Sequence, residues 1–384
     1  MNIWVIGRSY PQKINNMQGS FELEQAKMLA KHGNKVTYIA CVFHPFKKVK
    51  KWGLCYWLED NIDIFTYSQI YAIERMKLHL EFFQTMVWKK LLSSVEEKNG
   101  IPDVIHVHYP ANITIAKHIL EYQLKGTKIV CTEHWTQVLK NTIDNYERKR
   151  LTLYANNADA FLCVGQPLRE AVKTITGTKN ELYVVPNIVN ELFVPLINES
   201  KEFMFVAVGV LFPHKQFDKI IEAFSNTFKG NKHVRLKIIG DGPEANSLKR
   251  KCNENGISEQ VCFTGKLTRE NTAYEVGISN CLICYSNCET FGVPIIEGWA
   301  CGLPVISTTA AAVRDGWDEG LGIQVSPNKQ TDLEEAMRYV HDNYSIYDSR
   351  YIRDYSIKNY SEDEVYTLLL KIYNLKRKTN ESIS

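Results

Sequence analysis

The chain has 384 residues, 45% of them apolar and 23% charged, with a formal charge of +3. That length exceeds what one hydrophobic core ordinarily serves, so two domains are expected. The composition is that of a globular protein, the charge is too small to argue for nucleic-acid binding, and no window approaches the roughly 18 apolar residues of a membrane-spanning helix. At the N-terminus, MNIWVIGRSYPQKINN has no basic region followed by a long apolar stretch, so no secretory signal is read. A cytosolic setting is expected, in which the 10 cysteines are reduced thiols. The sequons at Asn112 and Asn198 are then without consequence.

The first half alternates short apolar, β-branched runs (NIWVIG, KVTYIAC, IDIFTY, DVIHVH, KIVCTE, AFLCVG) with helical patterns. In SFELEQAKMLAKHG, Leu23, Ala26, Leu29 and Ala30 recur at helical spacing and Gly33 supplies the stop. The run VFHPFKKVKKWGLCYWL (42–58) mixes Lys47, Lys48, Lys50 and Lys51 with Phe46, Trp52, Tyr56 and Trp57. Cations beside interfacial aromatics suit an anionic membrane surface, and a solvated basic loop is the plainer alternative. Further on, PDVIHVHYP places His106 and His108 on one face of a strand end, and CTEHWT places His134 just past the following strand. Three histidines near adjacent strand ends also suit a metal hydrolase, although no HExxH-type partner accompanies them. For His106, a packed, hydrogen-bonded core histidine is the reading.

A break is expected near VVPNIVNELFVPLINESKE (184–202), which has little periodicity. The second half repeats the theme with strands FMFVAVG, VRLKIIG, QVCFTG, NCLICYS and LPVIST, and with helices KQFDKIIEAFSNTF, EANSLKRKCNEN and DLEEAMRYVHDNY. The run SEDEVYTLLLKIYNLKRK reads as a last amphipathic helix and NESIS as a frayed tail. An α/β fold with parallel sheets covered on both faces follows, as two Rossmann-like, doubly wound domains facing a central cleft. The expected boundaries are 1–186, 187–360, and a C-terminal helix and tail 361–384 packing back toward the first domain. Ligands on such sheets bind beyond the carboxyl ends of the strands. A metal or redox site at Cys281, Cys284 and Cys288 is disfavoured, because residues three apart on a strand point to opposite faces.

Residues 287–302, NCETFGVPIIEGWACG, pose a sharper question. A strand ends at Ser286, Pro294 suits the first turn of a helix, and Gly302 suits its stop. The amides around Phe291, Gly292 and Val293 then form a helix N-terminus suited to a phosphate or diphosphate, with Gly292 admitting close backbone approach. Yet two carboxylates, Glu289 and Glu297, flank it. Glu297, about a turn further in, can accept two hydrogen bonds from a ribose diol. Glu289 is placed to meet what lies beyond the phosphates; two exposed helix-end glutamates are the plainer alternative. Lys215, after the strand–turn FVAVGVLFPHK, is well placed for an anion, and a solvated lysine is its alternative. GDGP (240–243) is weak on its own and could be a tight connection.

Gly209-x-Leu…Lys215, GDGPE, FTG, Glu289-x7-Glu297 and GLPVIST occur in the order seen in the retaining GT-B glycosyltransferases of family 4, which the chain resembles over essentially its whole length. The resemblance implies that Lys215 contacts a donor diphosphate, Glu297 its ribose and Glu289 the donor sugar. It implies that Gly19 and Ser20 form a glycine loop over the phosphates and acceptor, that His134 contacts the reacting sugar, and that His108 lies on the acceptor or sugar side. Gly209, Phe291, Gly292 and Val293 complete the donor site. Two departures stand out: Val210 occupies the position of the family's usual arginine, with His214 and Arg269 as substitutes, and Thr309, Ala310 and Ala311 replace a glycine pair. The implied activity is transfer from a UDP- or GDP-sugar to a glycan or lipid-linked acceptor, in bacterial cell-surface polysaccharide synthesis, at the inner face of the membrane. No cofactor, metal or nucleic acid is implied, and Asp315 and Asp318 do not form a DxD pair. A nucleotide-sugar epimerase or phosphorylase on the same fold, or a non-catalytic nucleotide-sugar-binding partner, are the alternatives. A dinucleotide oxidoreductase is disfavoured, since IGRSYP lacks GxGxxG.

Overall fold

The computed structural model describes residues 1–11, 19–44, 53–70, 77–197, 199–311, 313 and 316–376. Lys47, Lys48, Lys50, Lys51, Phe46 and Trp52 of the basic–aromatic run, Asp315 and the tail NESIS lie outside the described residues. The chain forms two compact units, Met1–Pro186 with Tyr366–Ser384, and Asn187–Val365.

The first unit is built on an eight-stranded sheet. In chain order its strands are β1 (Asn2–Gly7), β2 (Lys35–His44), β3 (Gly53–Glu59), β4 (Ile62–Ile70), β5 (Val104–His108), β6 (Lys128–Glu133), β7 (Ala160–Cys163) and β8 (Leu182–Val184). They lie in the order β3-β4-β2-β1-β5-β6-β7-β8. Ile3 to Ile6 of β1 are wholly buried, as central parallel strands covered on both faces require. The C-terminal helix Glu362–Tyr373 ends in this unit. Tyr366 stacks on His32 at 3.9 Å, and the Tyr373 carbonyl accepts from the Lys128 ammonium at 2.6 Å.

One expectation fails here. The sheet is not wholly parallel, because β3 pairs antiparallel with β4. Asp60 and Asn61 both take positive φ (48° and 61°), the geometry of a two-residue hairpin turn. Residues 53–58 are therefore an edge strand, with Leu54, Tyr56 and Leu58 exposed along one face.

The second unit carries a six-stranded parallel sheet: β9 (Phe203–Val208), β10 (Val234–Ile239), β11 (Val261–Gly265), β12 (Cys281–Cys284), β13 (Val305–Thr308) and β14 (Gly322–Val325). Their order is β11-β10-β9-β12-β13-β14, so the chain reverses direction across the sheet between β9 and β12. Binding sites form at such a switch point. The helix Phe217–Phe228 packs Phe217, Ile220, Ile221 and Phe224 against β9 and β10. Trp299 is wholly buried and its indole N–H donates to the Leu321 carbonyl at 3.0 Å, which ties the helix Val293–Ala300 to the entry of β14. Cys281 and Cys284 are buried in β12, and burial pushes the Cys284 thiol up to about 11.

Candidate active site

In the second unit the β12–helix connection follows from its residues. Gly292 sits at φ 106° as the N-cap of the helix Val293–Ala300, Pro294 occupies its first turn, and no side chain caps it. Gly302, at φ 72°, closes it, with its N–H donating to the Trp299 carbonyl and that of Leu303 to Gly298. Pro294 brings no N–H and the Ile295 amide donates to the Gly292 carbonyl at 2.9 Å, so the amides of Phe291, Gly292 and Val293 are the ones left to a ligand or solvent.

Lys215 ends a short 3-10 turn, Pro213–Lys215, after β9. It sits just before the helix Phe217–Phe228 and not on its first turn, because Gln216 intervenes in a left-handed conformation at φ 53°. Gln216 is held there by a hydrogen bond from its side-chain amide to Asn328 at 2.6 Å. The Lys215 ammonium and the Glu289 carboxylate form an ion pair. Both side chains are mostly buried, and Ser286 Oγ also donates to Glu289, at 3.4 Å. Burial alone would lower the Lys215 pKa; the Glu289 carboxylate reverses this and holds the ammonium above its ordinary value.

Glu297 is also paired. It is 2% exposed, and its Oε1 lies 2.5 Å from Nη1 of Arg269, the first residue of the helix Arg269–Gly277. Of the two cations considered as substitutes at Val210, Arg269 is thus committed to Glu297. His214 stacks on Phe212, with ring centroids 5.9 Å apart. Val210 is itself 46% exposed. Gly240 and Gly242 have a packing role. A Cβ on Gly240 would come within 1.9 Å of the Gly209 carbonyl oxygen, and one on Gly242 within 2.7 Å of the Leu211 amide. The GDG turn is a close backbone-to-backbone seat for the 209–211 loop, the tight connection of the weaker reading. Phe291 is buried edge-on to Tyr360, so its ring packs the helix.

In the first unit, Gly19 caps the helix Ser20–Lys31 at φ 92°. A Cβ there would meet the Ser9 carbonyl oxygen at 2.1 Å, so the glycine is a steric requirement. His106, His108 and His134 come together in a buried stack, with centroids 4.4 Å apart for the first pair and 5.2 Å for the second. His106 uses both ring nitrogens, with the hydroxyls of Tyr373 and Thr132 each at 2.7 Å, and burial lowers its pKa to about 3. It is the packed core histidine expected. His108 Nδ1 lies 2.9 Å from His134 Nε2, so one of these two ring nitrogens donates and the other accepts. His134 is only 9% exposed, and Tyr109 stacks on its other side at 5.0 Å.

Around this stack lie groups that the motif reading missed. The Arg8 guanidinium sits 3.9 Å from the Tyr109 ring centroid, and the Arg8 amide donates to the wholly buried Glu22 at 3.3 Å. Glu133, also wholly buried, accepts the amides of His134 and Trp135 at 2.9 Å each, fixing the turn that carries His134. Position gave the available signal: Arg8 follows β1 directly, Glu22 is in the first turn of the next helix, and Glu133 precedes His134.

Two family profiles match the chain. The one described as Glycosyltransferase Family 4 covers residues 20–191, and Glycosyl transferases group 1 covers 189–358. The chain is a group 1 glycosyl transferase of family 4. Its fold is that of the GT-B glycosyltransferases. It is 21% identical over 303 residues to the N-acetyl-alpha-D-glucosaminyl L-malate synthase of Bacillus anthracis, covering 76% of this chain and 75% of that protein. It is 22% identical over 243 residues to the phosphatidylinositol N-acetylglucosaminyltransferase GPI3 subunit of Saccharomyces cerevisiae. That match spans 61% of this chain and only 54%, about half, of the yeast subunit. Among solved structures, Anabaena HepE in complex with UDP and glucose superposes with a TM-score of 0.73 at 15% identity, covering 98% of this chain and 100% of that one.

Glu133 gives this family member a pH signature. Burial raises its carboxyl from the ordinary 4.5 to about 7, against the backbone amides of Trp135, His134 and Ala111 and the charge of Arg8, which favour the ionised form. The folded chain then holds a proton that the unfolded chain releases, so stability falls as pH rises from about 4.5 to about 7 and levels off above. Glu133→Gln should remove this loss, worth on the order of 3 kcal/mol. The check is the difference between wild-type and variant Tm across that range, since the buried neutral histidines shift both proteins alike. Parallel pH profiles for the two would contradict it.

Proposed function

We propose that the chain transfers a sugar, with retention at the anomeric carbon, from a UDP- or GDP-sugar to a hydroxyl of a glycan or lipid-linked acceptor. The biological setting proposed is bacterial cell-surface polysaccharide synthesis at the inner face of the membrane. The observation that carries this is the pair of acid–base couples, Lys215–Glu289 and Arg269–Glu297, flanking the uncapped N-terminus of the helix Val293–Ala300. Each acid has its own cation, so neither repels an anion from the helix amides. The diphosphate is assigned to those amides and Lys215, and Gly19 and Ser20 are assigned to donor binding as well. Glu297 takes the ribose. Glu289 holds the donor sugar and stabilises positive character at its anomeric carbon. His134, braced by His108, orients the sugar. No metal is needed, because the ammonium and the helix dipole supply the positive charge at the leaving group.

The relatives support the substrate class: two are named as N-acetylglucosaminyl-transferring or -containing systems, and HepE is described with UDP and glucose. Membrane contact is supported by the exposed Leu54, Tyr56 and Leu58 face of β3, where the Lys98 ammonium lies 3.7 Å from the Tyr56 ring centroid. No helix among the described residues is long and apolar enough to cross a membrane.

The test is a thermal-shift screen with UDP-, GDP-, ADP- and dTDP-sugars, with and without EDTA. Stabilisation by a UDP- or GDP-sugar, unaffected by EDTA, is the expected result; stabilisation by none of the four refutes the reading. Binding without turnover on any glycan or lipid-linked acceptor would favour a non-catalytic partner, the role that Val210 in place of an arginine suggests.

A further inference from the structure

Glu297 is 2% exposed, and an ionised carboxylate so placed is strongly disfavoured unless a counterion and hydrogen bonds hold it. Arg269 is that counterion, 2.5 Å away. Three features fix the arginine. It opens the helix Arg269–Gly277, whose start is set by the Thr268 hydroxyl accepting the Asn271 amide at 3.3 Å. Its guanidinium lies 4.9 Å from the Phe193 ring centroid. Phe193 is 1% exposed, and its carbonyl accepts from Arg353 at 3.1 Å, so the platform is itself anchored. A planar cation held by a carboxylate and by an aromatic ring has little rotational freedom left.

We infer that Arg269 is a positioning residue for nucleotide recognition: it neutralises Glu297 and locks its carboxylate in the orientation that a ribose diol meets. The inference rests on the reading of Glu297 as the ribose acceptor. Arg269 follows the short 266–268 connection from β11, so its position is set by the end of a core strand. It also answers the question left by Val210. Arg269 does not restore the missing charge at the diphosphate, because it is spent on Glu297, and Lys215 with the helix amides meets the diphosphate without a second side-chain cation.

The experiment is titration calorimetry on the full chain with UDP, GDP, ADP and dTDP, carried forward with whichever the wild type binds. Arg269→Ala and Glu297→Ala should each weaken binding by about tenfold or more. The double variant should be no weaker than Glu297→Ala alone, since an arginine acting only through Glu297 has nothing further to lose. Arg269→Lys, which keeps the charge and the fold but not the planar fork, should fall between wild type and Arg269→Ala. Wild-type binding with unchanged affinity in both the alanine and the lysine variant overturns the inference alone. So does additivity in the double variant, which would mean that Arg269 touches the nucleotide by itself. Failure of the wild type to bind any of the four overturns the functional reading, and this inference with it.

Discussion

Replacing Glu289 by alanine is expected to lower kcat by about 1000-fold or more while nucleoside diphosphate binding is kept or tightened. The two halves of this expectation have separate causes. Glu289 is the carboxylate assigned to the donor sugar, and a preorganised charge beside a developing oxocarbenium ion acts only as the transition state forms. Its loss therefore appears in kcat. In the unliganded chain the same carboxylate is bonded to the Lys215 ammonium, the cation assigned to the diphosphate. Without Glu289 the full charge of Lys215 faces the ligand, and nothing anionic opposes it. Steady-state kinetics with the cognate sugar donor and calorimetry with its nucleoside diphosphate read the two effects independently. Undiminished turnover would remove Glu289 from the mechanism. Loss of both turnover and binding would mean that the Lys215–Glu289 pair only shapes the 209–216 loop.

Local signals made much of this structure legible. The strand–glycine–proline–helix passage 281–302 could be read because each of its residues has a narrow conformational role. Gly292 takes a positive φ, Pro294 a first-turn position and Gly302 a helix stop. Helical spacing in 20–31 likewise identified Leu23, Ala26, Leu29 and Ala30 as the inward face; the first three are buried and Ala30, at its edge, is half-buried. What escaped was non-local. Arg269 and Glu297 lie on different helices, and their pairing depends on how both are laid over the sheet. Tyr373 reaches His106 across a separation of 267 residues. β3 was hidden for a different reason. The lysines and aromatics of 42–58 drew a surface reading, although the alternation of Leu54, Tyr56 and Leu58 before an Asp60-Asn61 turn is a hairpin signature. The buried acids Glu22 and Glu133 had no sequence signal beyond their position, since glutamates in such places are ordinarily solvated.

Lys215→Ala should abolish turnover and weaken nucleoside diphosphate binding by about 100-fold, and the sign of its coupling to Glu289 is the stronger test. Removing the ammonium deletes the one side-chain cation assigned to the diphosphate. It also leaves a mostly buried carboxylate facing the anion, so part of the loss is repulsion by Glu289 and not absence of Lys215. Deleting both groups should therefore recover some of the binding that Lys215→Ala loses, while turnover stays absent because Glu289 is gone as well. Independent groups would instead give the sum of the two single effects. The Tm of each variant separates this from unfolding: Lys215→Ala, with an unpaired acid, should melt below the double variant. A double variant that binds no better than Lys215→Ala would show that the helix amides cannot hold the diphosphate without the lysine. In that case the helix N-terminus would contribute far less than its uncapped amides lead one to expect, and the weight of anion recognition would rest on Lys215 alone.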